Sequence, residues 1–294
     1  MNASQAAVAA EPGAAQDAYL FVQSLATELS SGKVELPGFP DIVARVRVAL
    51  ADENVSTAKV ARIIAAEPVL SARLLQMANS AALNASGRPI ADLPAAVLRV
   101  GLNVVRTTTI AFAVQQLRLA PALRGLEKPF DMLWQRSVLV AALCYVLARR
   151  LTRVSPDTAL LAGTLQGIGR LYILTRASRH RALFADVASY QAIERDWHLG
   201  IAVALLEHWG IAPQIVQAVR ESEDFARDPR GALGLSEVLV AASLIAVYQD
   251  QPDLLDVRLL SVRPVAGLQL SRAVRDELLS ESAEEIAALR QALA

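Results

Sequence analysis

Apolar residues recur along almost the whole chain at the three- and four-residue spacing of amphipathic helices. No segment shows a sustained alternation of apolar and polar residues, which is the pattern of half-buried strands. Pro68, for example, suits the first turn of a helix in which Leu70, Leu74 and Met77 form one apolar stripe. The pattern therefore predicts an all-α fold.

Start and stop signals for helices accompany this periodicity. Ser56 or Thr57, Asp92 and Ser155 can cap the helices that follow them, because their side-chain oxygens accept hydrogen bonds from free backbone N–H groups. Gly101 can end one helix before the next begins. These signals predict a compact N-terminal helical group followed by several longer helices.

A break in this pattern predicts how the chain is organised. Segment 119–129 contains two prolines and Gly125, so we expect a hinge there between helical parts at 17–118 and 130–250. Residues 251–294 should form one or two C-terminal amphipathic helices. Residues 1–16 are rich in alanine and lack the basic and apolar regions of a secretory signal, which predicts a disordered tail.

Charge and cysteine content narrow the classes of function. Lys plus Arg and Asp plus Glu number 29 each, so no overall field directs the protein to nucleic acid or to an anionic membrane. The most apolar windows, 137–148 and 238–249, are shorter than the roughly 18 residues that a membrane-spanning helix needs. Cys144 is the only cysteine, which excludes an internal disulfide and fits the cytoplasm.

Histidine content argues against a catalytic metal centre. The chain has only His180, His198 and His208; none precedes an aspartate, and no HExxH motif occurs. A catalytic metal site usually needs three converging protein ligands. We therefore expect ordinary core or surface histidines and no cofactor.

Three glycines crowd the segment GTLQGIGR: Gly163, Gly167 and Gly169. The segment follows a predicted helix and matches neither phosphate-binding glycine motif, so helix termination and close helix packing explain it better than a phosphate site. Cys144 lies between apolar residues of a long helix, which predicts a buried thiol and not a nucleophile.

A run of arginines surrounds this segment, and only Asp157 opposes it locally. A solvated face at helix ends is one interpretation. The other is a site for a phosphate-bearing ligand or an acidic partner, because guanidinium groups bind phosphate with two hydrogen bonds. The run comprises Arg149, Arg150, Arg153, Arg170, Arg176, Arg179 and Arg181.

Long sequence motifs resemble the HDOD domain, an HD-related output domain of bacterial signalling proteins. They include VARIIAAEPVLSARLLQMANSAALNASGRPIADLPAAVLRVG, FDMLWQRSVLVAALCYVLAR, ALLAGTLQGIGRLYIL and HLGIAVALLEHWGIAPQIVQAV. The resemblance covers roughly 36–248. It implies an HD-like multi-helix domain at 130–250, preceded by the N-terminal helical subdomain.

Positions equivalent to the metal ligands of HD phosphohydrolases can be placed by this resemblance. The first histidine falls on Arg136, the His-Asp pair on Gln166 and Gly167, and the following lysine on Arg170, whereas a later histidine is retained as His198. The last His-His pair falls near Ser222 and Glu223. Gly167 offers no ligand and Arg136 brings a positive charge, so the site should no longer bind metal.

The resemblance implies a non-catalytic regulatory module that binds other signalling proteins, linked to cyclic di-GMP signalling. A nucleotide is a second candidate ligand, and nucleic acid is not expected as a partner. The sequence does not specify the oligomeric state. The alternative is a divergent HD-type phosphohydrolase or phosphodiesterase with a non-standard site that uses His198, Asp157, Glu194, Asp196 or Glu223.

A pocket without its metal could bind an anion instead. Arg136 and Arg170 would face the vacated site, and the basic stretch that follows could extend it. The residues of this hypothesis are Arg136, Arg170, Arg176, Arg179 and Arg181.

Overall fold

The structure is a computed structural model that describes residues 12–294 except 33, 35, 37–39, 53, 85 and 229–232. All regular structure in these residues is helical, which confirms the predicted fold class. The first part contains α1 (Pro12–Ser30), α2 (Asp41–Leu50), α3 (Thr57–Ile64), α4 (Pro68–Ala78) and α5 (Leu93–Arg118).

The second part contains α6 (Glu127–Leu151), α7 (Pro156–Leu165), α8 (Ile168–Ala177), α9 (Val187–His208), α10 (Pro213–Arg220) and α11 (Leu235–Tyr248). Three further helices follow it, namely α12 (Pro252–Ser261), α13 (Arg272–Glu281) and α14 (Ala283–Leu293). Short 3₁₀ helices lie at Pro121–Leu123, Arg181–Phe184 and Arg263–Leu268.

Most of the expected helix signals operate as predicted. The side chains of Ser56, Asp92 and Ser155 accept hydrogen bonds from the backbone N–H groups of the third residue after each. Gly101 has φ 76° and interrupts α5 with a kink, because only glycine adopts this conformation without strain. The C-terminal segment forms two helices, α13 and α14, in its last part.

Helix α6 lies at the centre of the core. It packs against α7, α8, α11 and α14, and its Phe130, Trp134 and Cys144 side chains are fully buried or nearly so. Burial raises the pKa of the Cys144 thiol. Because a buried, protonated thiol is a poor nucleophile, Cys144 acts as a small core residue.

The predicted hinge region is short and tied across. The 3₁₀ helix Pro121–Leu123 joins α5 to α6, and Arg118 at the end of α5 forms a bidentate ion pair with Asp131 in α6, at 2.5 and 2.9 Å. The domain boundaries, including this hinge, remain predictions. The predicted tail falls mostly outside the described residues, and α1 begins at Pro12 within it.

Carboxylates that are distant in the sequence pair with part of the arginine run. Arg149 forms an ion pair with Glu285 of α14, and Arg150 pairs with Glu281 of α13 at 3.3 Å. Helix α14 also packs against α4 and α5. The C-terminal helices therefore join both parts of the chain.

Two helices, α5 and α6, are long and apolar enough to cross a membrane by length and composition alone. In each of them 67% of the most apolar window is buried inside the protein. Core helices of a folded domain pass the same test, so this finding does not identify a membrane segment.

Close approaches between helices explain the three crowded glycines, as predicted. A Cβ atom on Gly163 would lie 2.5 Å from Cα of Ala141 in α6. A Cβ atom on Gly169 would lie 1.9 Å from the carbonyl oxygen of His198 in α9. Neither position can hold a side chain without moving a neighbouring backbone.

We expect Gly169→Ala to lower the free energy of unfolding by about 1–3 kcal/mol, because the added methyl group would force α8 away from α9. Urea denaturation followed by circular dichroism measures this change. Gly200→Ala is the matched control: Gly200 lies in α9 with nothing within 4 Å of its Cβ position. The control should stabilise the protein by up to about 1 kcal/mol, and equal effects of the two variants would contradict the packing argument.

Candidate functional site

A cavity of about 410 Å³ lies beside the central helices. Its inner wall includes Arg136 from α6, Gln166 after α7, and Ser222 and Glu223 after α10. Four of the positions inferred from the HDOD resemblance therefore line one cavity. Residues of α11 and α12, including Tyr248 and Arg258, complete the lining, and we call them the outer wall.

The Arg170 guanidinium is the centre of the polar groups next to this cavity. Its Nη2 donates to Glu223 Oε1 at 2.9 Å, its Nη1 lies 3.1 Å from His198 Nδ1, and its Nε lies 3.5 Å from Glu194 Oε1. The side chains of Arg170 and Glu194 are only 18% and 21% exposed. We call Arg170, Glu194, His198 and Glu223 the Arg170 network.

His198, whose side chain is 1% exposed, lies between Arg170 and Glu223. Arginine can only donate hydrogen bonds, so His198 Nδ1 accepts from Arg170. Its Nε2 then donates to Glu223 Oε2 at 3.2 Å. His198 therefore joins the arginine to the glutamate.

Glu223 is ionised in this network. Burial raises its pKa, but the hydrogen bond from His198 and the charge of Arg170 outweigh burial and lower the pKa to about 2. Both of its carboxylate oxygens have partners. Its negative charge is therefore largely compensated on the inner side of the cavity.

Arg136 has a different environment from Arg170. Among the described residues it forms no hydrogen bond or ion pair. Desolvation and the nearby charge of Arg170 lower the pKa of the Arg136 guanidinium, while Glu223 and Glu194 oppose that shift. Arg136 remains charged, because even a lowered arginine pKa lies far above neutral pH.

Gly167, at the other half of the inferred His-Asp pair, packs tightly against α6. A Cβ atom on Gly167 would lie 2.3 Å from Ser137 Oγ. Ser137 Oγ itself donates to the carbonyl oxygen of Leu133. The close packing of α6 therefore leaves little room for a longer side chain at position 167.

The remaining residues of the anion hypothesis lie elsewhere. Arg176 forms an ion pair with Glu28 at 3.2 Å and lies over the ring of Tyr172. Arg181 donates to the carbonyl oxygen of Arg124, and Arg179 is exposed. None of Arg176, Arg179 and Arg181 lines the cavity, so the structure divides the predicted arginine group into separate places.

The acidic residues named for an enzymatic site also separate. Glu194, His198 and Glu223 meet around Arg170, whereas Asp196 is exposed and paired with Arg195. Asp157 does not line the cavity, and burial raises its pKa. In the part of the chain that the structure describes, no three His, Cys, Asp or Glu side chains are grouped as a metal site requires.

A family model of the HDOD domain matches residues 36–225, more than half of the chain. The chain belongs to the HDOD domain family. This membership identifies it as a signalling module and confirms the resemblance inferred from the sequence motifs. No functionally curated protein matches the chain significantly.

Several solved structures share the fold. A Shewanella amazonensis SB2B protein named "Putative metal-dependent phosphohydrolase" is 24% identical, with a TM-score of 0.76 over 95% of this chain and 100% of that one. An HDOD domain protein with unknown function from Geobacter sulfurreducens is 24% identical, with a TM-score of 0.62 over 92% and 96%.

A third structure comes from Marinobacter aquaeolei VT8 and is named "Putative signal transduction protein". It is 19% identical, with a TM-score of 0.55 over 98% of this chain and 67% of that one. At these identities the likeness shows the fold alone.

Sequence reasoning missed the outer wall of the cavity in this HDOD protein. Arg258 and Tyr248 line it, and the Arg258 guanidinium lies 5.8 Å from the centre of the Tyr248 ring. Both residues follow the region 36–225 that the family model matches, and the motifs that carried the resemblance end before them. The regular helical pattern of α11 and α12 contained no further signal.

We expect Glu223→Gln to lower the free energy of unfolding at pH 7 by about 1–2 kcal/mol, since it weakens charge-assisted hydrogen bonds at a partly exposed site. The pKa of Glu223 is below its ordinary 4.5 in the folded state, so its contribution is complete above that pH. The contribution is lost as the pH falls towards 2. Urea denaturation at pH 7 and pH 3 should therefore show a smaller difference from wild type at pH 3.

Glu207→Gln is the control for this experiment. Glu207 pairs with Arg220 at 3.0 Å, but both side chains are more than half exposed. Its replacement should change stability by less than about 0.5 kcal/mol at either pH. A Glu223→Gln effect that is equally small at pH 7 would disprove the stabilising role of the network.

Proposed function

We propose that this HDOD protein is a non-catalytic module that transmits signals by binding other proteins in the bacterial cytoplasm. Its link to cyclic di-GMP signalling rests on the family resemblance. One observation carries the non-catalytic part: the Arg170 guanidinium contacts His198, Glu194 and Glu223 together. The side chains best suited to hold a metal are thus already bound to a cation that belongs to the chain.

The residues present do not fit a divalent metal. A metal placed between Glu194, His198 and Glu223 would have to displace Arg170 or lie against it. Two like unit charges about 4 Å apart cost roughly 4 kcal/mol at an effective dielectric of 20, and a divalent ion raises that cost. Arg136, on the same cavity wall, adds a second repulsive charge.

The packing around Gly167 supports the same proposal. A ligand side chain at that position would meet Ser137 Oγ at the first carbon atom. Gln166, its neighbour in the inferred pair, offers only a neutral amide, which is a weaker ligand than imidazole or carboxylate. Catalysis by the usual HD arrangement would therefore need several side chains to change.

We expect the purified protein to contain much less than one equivalent of iron or manganese. It should also hydrolyse neither cyclic di-GMP nor bis(p-nitrophenyl) phosphate, because no group is available to bind a metal and activate water. Elemental analysis and chromatographic detection of product measure the two quantities.

The Glu223→Gln variant is the control that shows whether any hydrolysis comes from this site. Turnover that persists unchanged in this variant comes from a contaminating enzyme. Stoichiometric metal in the wild type, with turnover that Glu223→Gln removes, would refute the proposal. It would instead support the divergent phosphohydrolase suggested by the name of the Shewanella relative.

Partner binding is expected to be independent of divalent metal. We predict that affinity purification from the native cell recovers the same signalling protein with and without a strong chelator, since the proposed module holds no metal. Mass spectrometry identifies the partner. Loss of that partner on chelation would contradict a metal-independent module.

A further inference from the structure

The lining of the cavity beside the Arg170 network includes two basic side chains from different helices. Arg136 projects from α6 on the inner wall, and Arg258 from α12 on the outer wall. Among the described residues neither side chain forms an ion pair, and the Arg258 guanidinium lies 5.8 Å from the centre of the Tyr248 ring. Two guanidinium groups without carboxylate partners therefore face one space.

The acidic groups nearby are already compensated. Glu223 is the only carboxylate among the described residues that line the cavity, and its oxygens bind Arg170 and His198. Glu194 lies behind it against Arg170. Without His198, the three arginines and two glutamates leave a formal charge of +1 around the cavity.

The other lining groups suit a phosphorylated ligand with an aromatic part. The hydroxyls of Ser222, Ser243 and Ser261 and the amide of Gln166 can hydrogen-bond to oxygen or nitrogen atoms. Phe225, which is 43% exposed, and Tyr248 provide ring surfaces against which a planar base can stack.

The volume of the cavity restricts the class of ligand that can bind in it. The volume of about 410 Å³ lies near the lower end of the range of roughly 300–1,000 Å³ for small-molecule sites. A single nucleotide fits such a volume better than a cyclic dinucleotide does. The enclosure between helices from two sides also favours a small molecule over an extended peptide.

We propose that this cavity is a binding site for a nucleoside monophosphate, with the phosphate held by Arg136 and Arg258 and the base against Phe225 and Tyr248. The proposal rests on the proposed function in one respect: Arg170, and not a metal ion, must hold Glu223 in place at the inner wall. Arg170 does not line the cavity but binds Glu223, which does. The sequence hypothesis had instead placed Arg170 in contact with the anion.

Isothermal titration of the full chain at low salt tests the proposal, with guanosine and adenosine 5′-monophosphate, inorganic phosphate and cyclic di-GMP as probes. One of the monophosphates should bind more tightly than phosphate and cyclic di-GMP. Arg136→Gln and Arg258→Gln should each weaken its binding by about tenfold to a hundredfold, since each removes a charge-assisted hydrogen bond. Tyr248→Leu should weaken monophosphate binding more than phosphate binding.

Arg263→Gln is the matched control. Arg263 lies two residues after α12 and is exposed, as Arg136 and Arg258 are, but it pairs with Asp228 at 3.0 Å and does not line the cavity. The variant should bind like wild type. Arg136 and Arg258 make no ion pair within the described residues, so their variants should fold normally, which circular dichroism verifies.

Three outcomes would overturn the proposal: no monophosphate binding by wild type, equal binding by all variants, or tighter binding of phosphate or cyclic di-GMP. Metal analysis of the same preparation separates this failure from failure of the proposed function. Absent binding in a metal-free protein refutes only the ligand site. Stoichiometric metal with hydrolysis of a probe refutes the non-catalytic module itself.

Discussion

Close contact between the backbones of neighbouring helices is the constraint on which this site depends. Gly163 lets α7 approach Ala141 of α6, and Gly169 lets α8 approach the carbonyl group of His198 in α9. The second contact holds α8 closely against α9. Arg170, one residue after Gly169, is thereby held against His198 and Glu194 of α9. The glycine contact that packs α8 on α9 therefore also places the charge of Arg170 beside His198 and Glu194.

Local signals predicted much of the fold. Capping by Ser56, Asp92 and Ser155 and the break at Gly101 depend on residues within a few positions of one another, so the sequence alone contains the information. Charge pairing was harder to predict. Arg149 and Arg150 stand beside few local carboxylates, yet in the fold they meet Glu285 and Glu281, more than a hundred residues away.

Sequence motifs predicted part of the site, whereas the rest depends on contacts between residues that are distant in the sequence. Family motifs located Arg136, Gln166, Ser222 and Glu223, and the structure brings these four to one cavity. The motifs could not show that Arg170 turns inward to His198 and the two glutamates, because those partners come from a different helix, α9, and from the loop after α10. Nor could they reveal Arg258, since α12 reaches the cavity only through its packing on α11.

The Arg170 network also determines how the site responds to its surroundings. A bound metal ion exchanges with the medium, so such a centre gains and loses its charge with the supply and oxidation state of the metal. The guanidinium of Arg170 is covalently part of α8, so it neither dissociates from the chain nor changes oxidation state. The positive charge that Arg170 places against Glu223 therefore does not depend on the supply of metal or on oxidative stress.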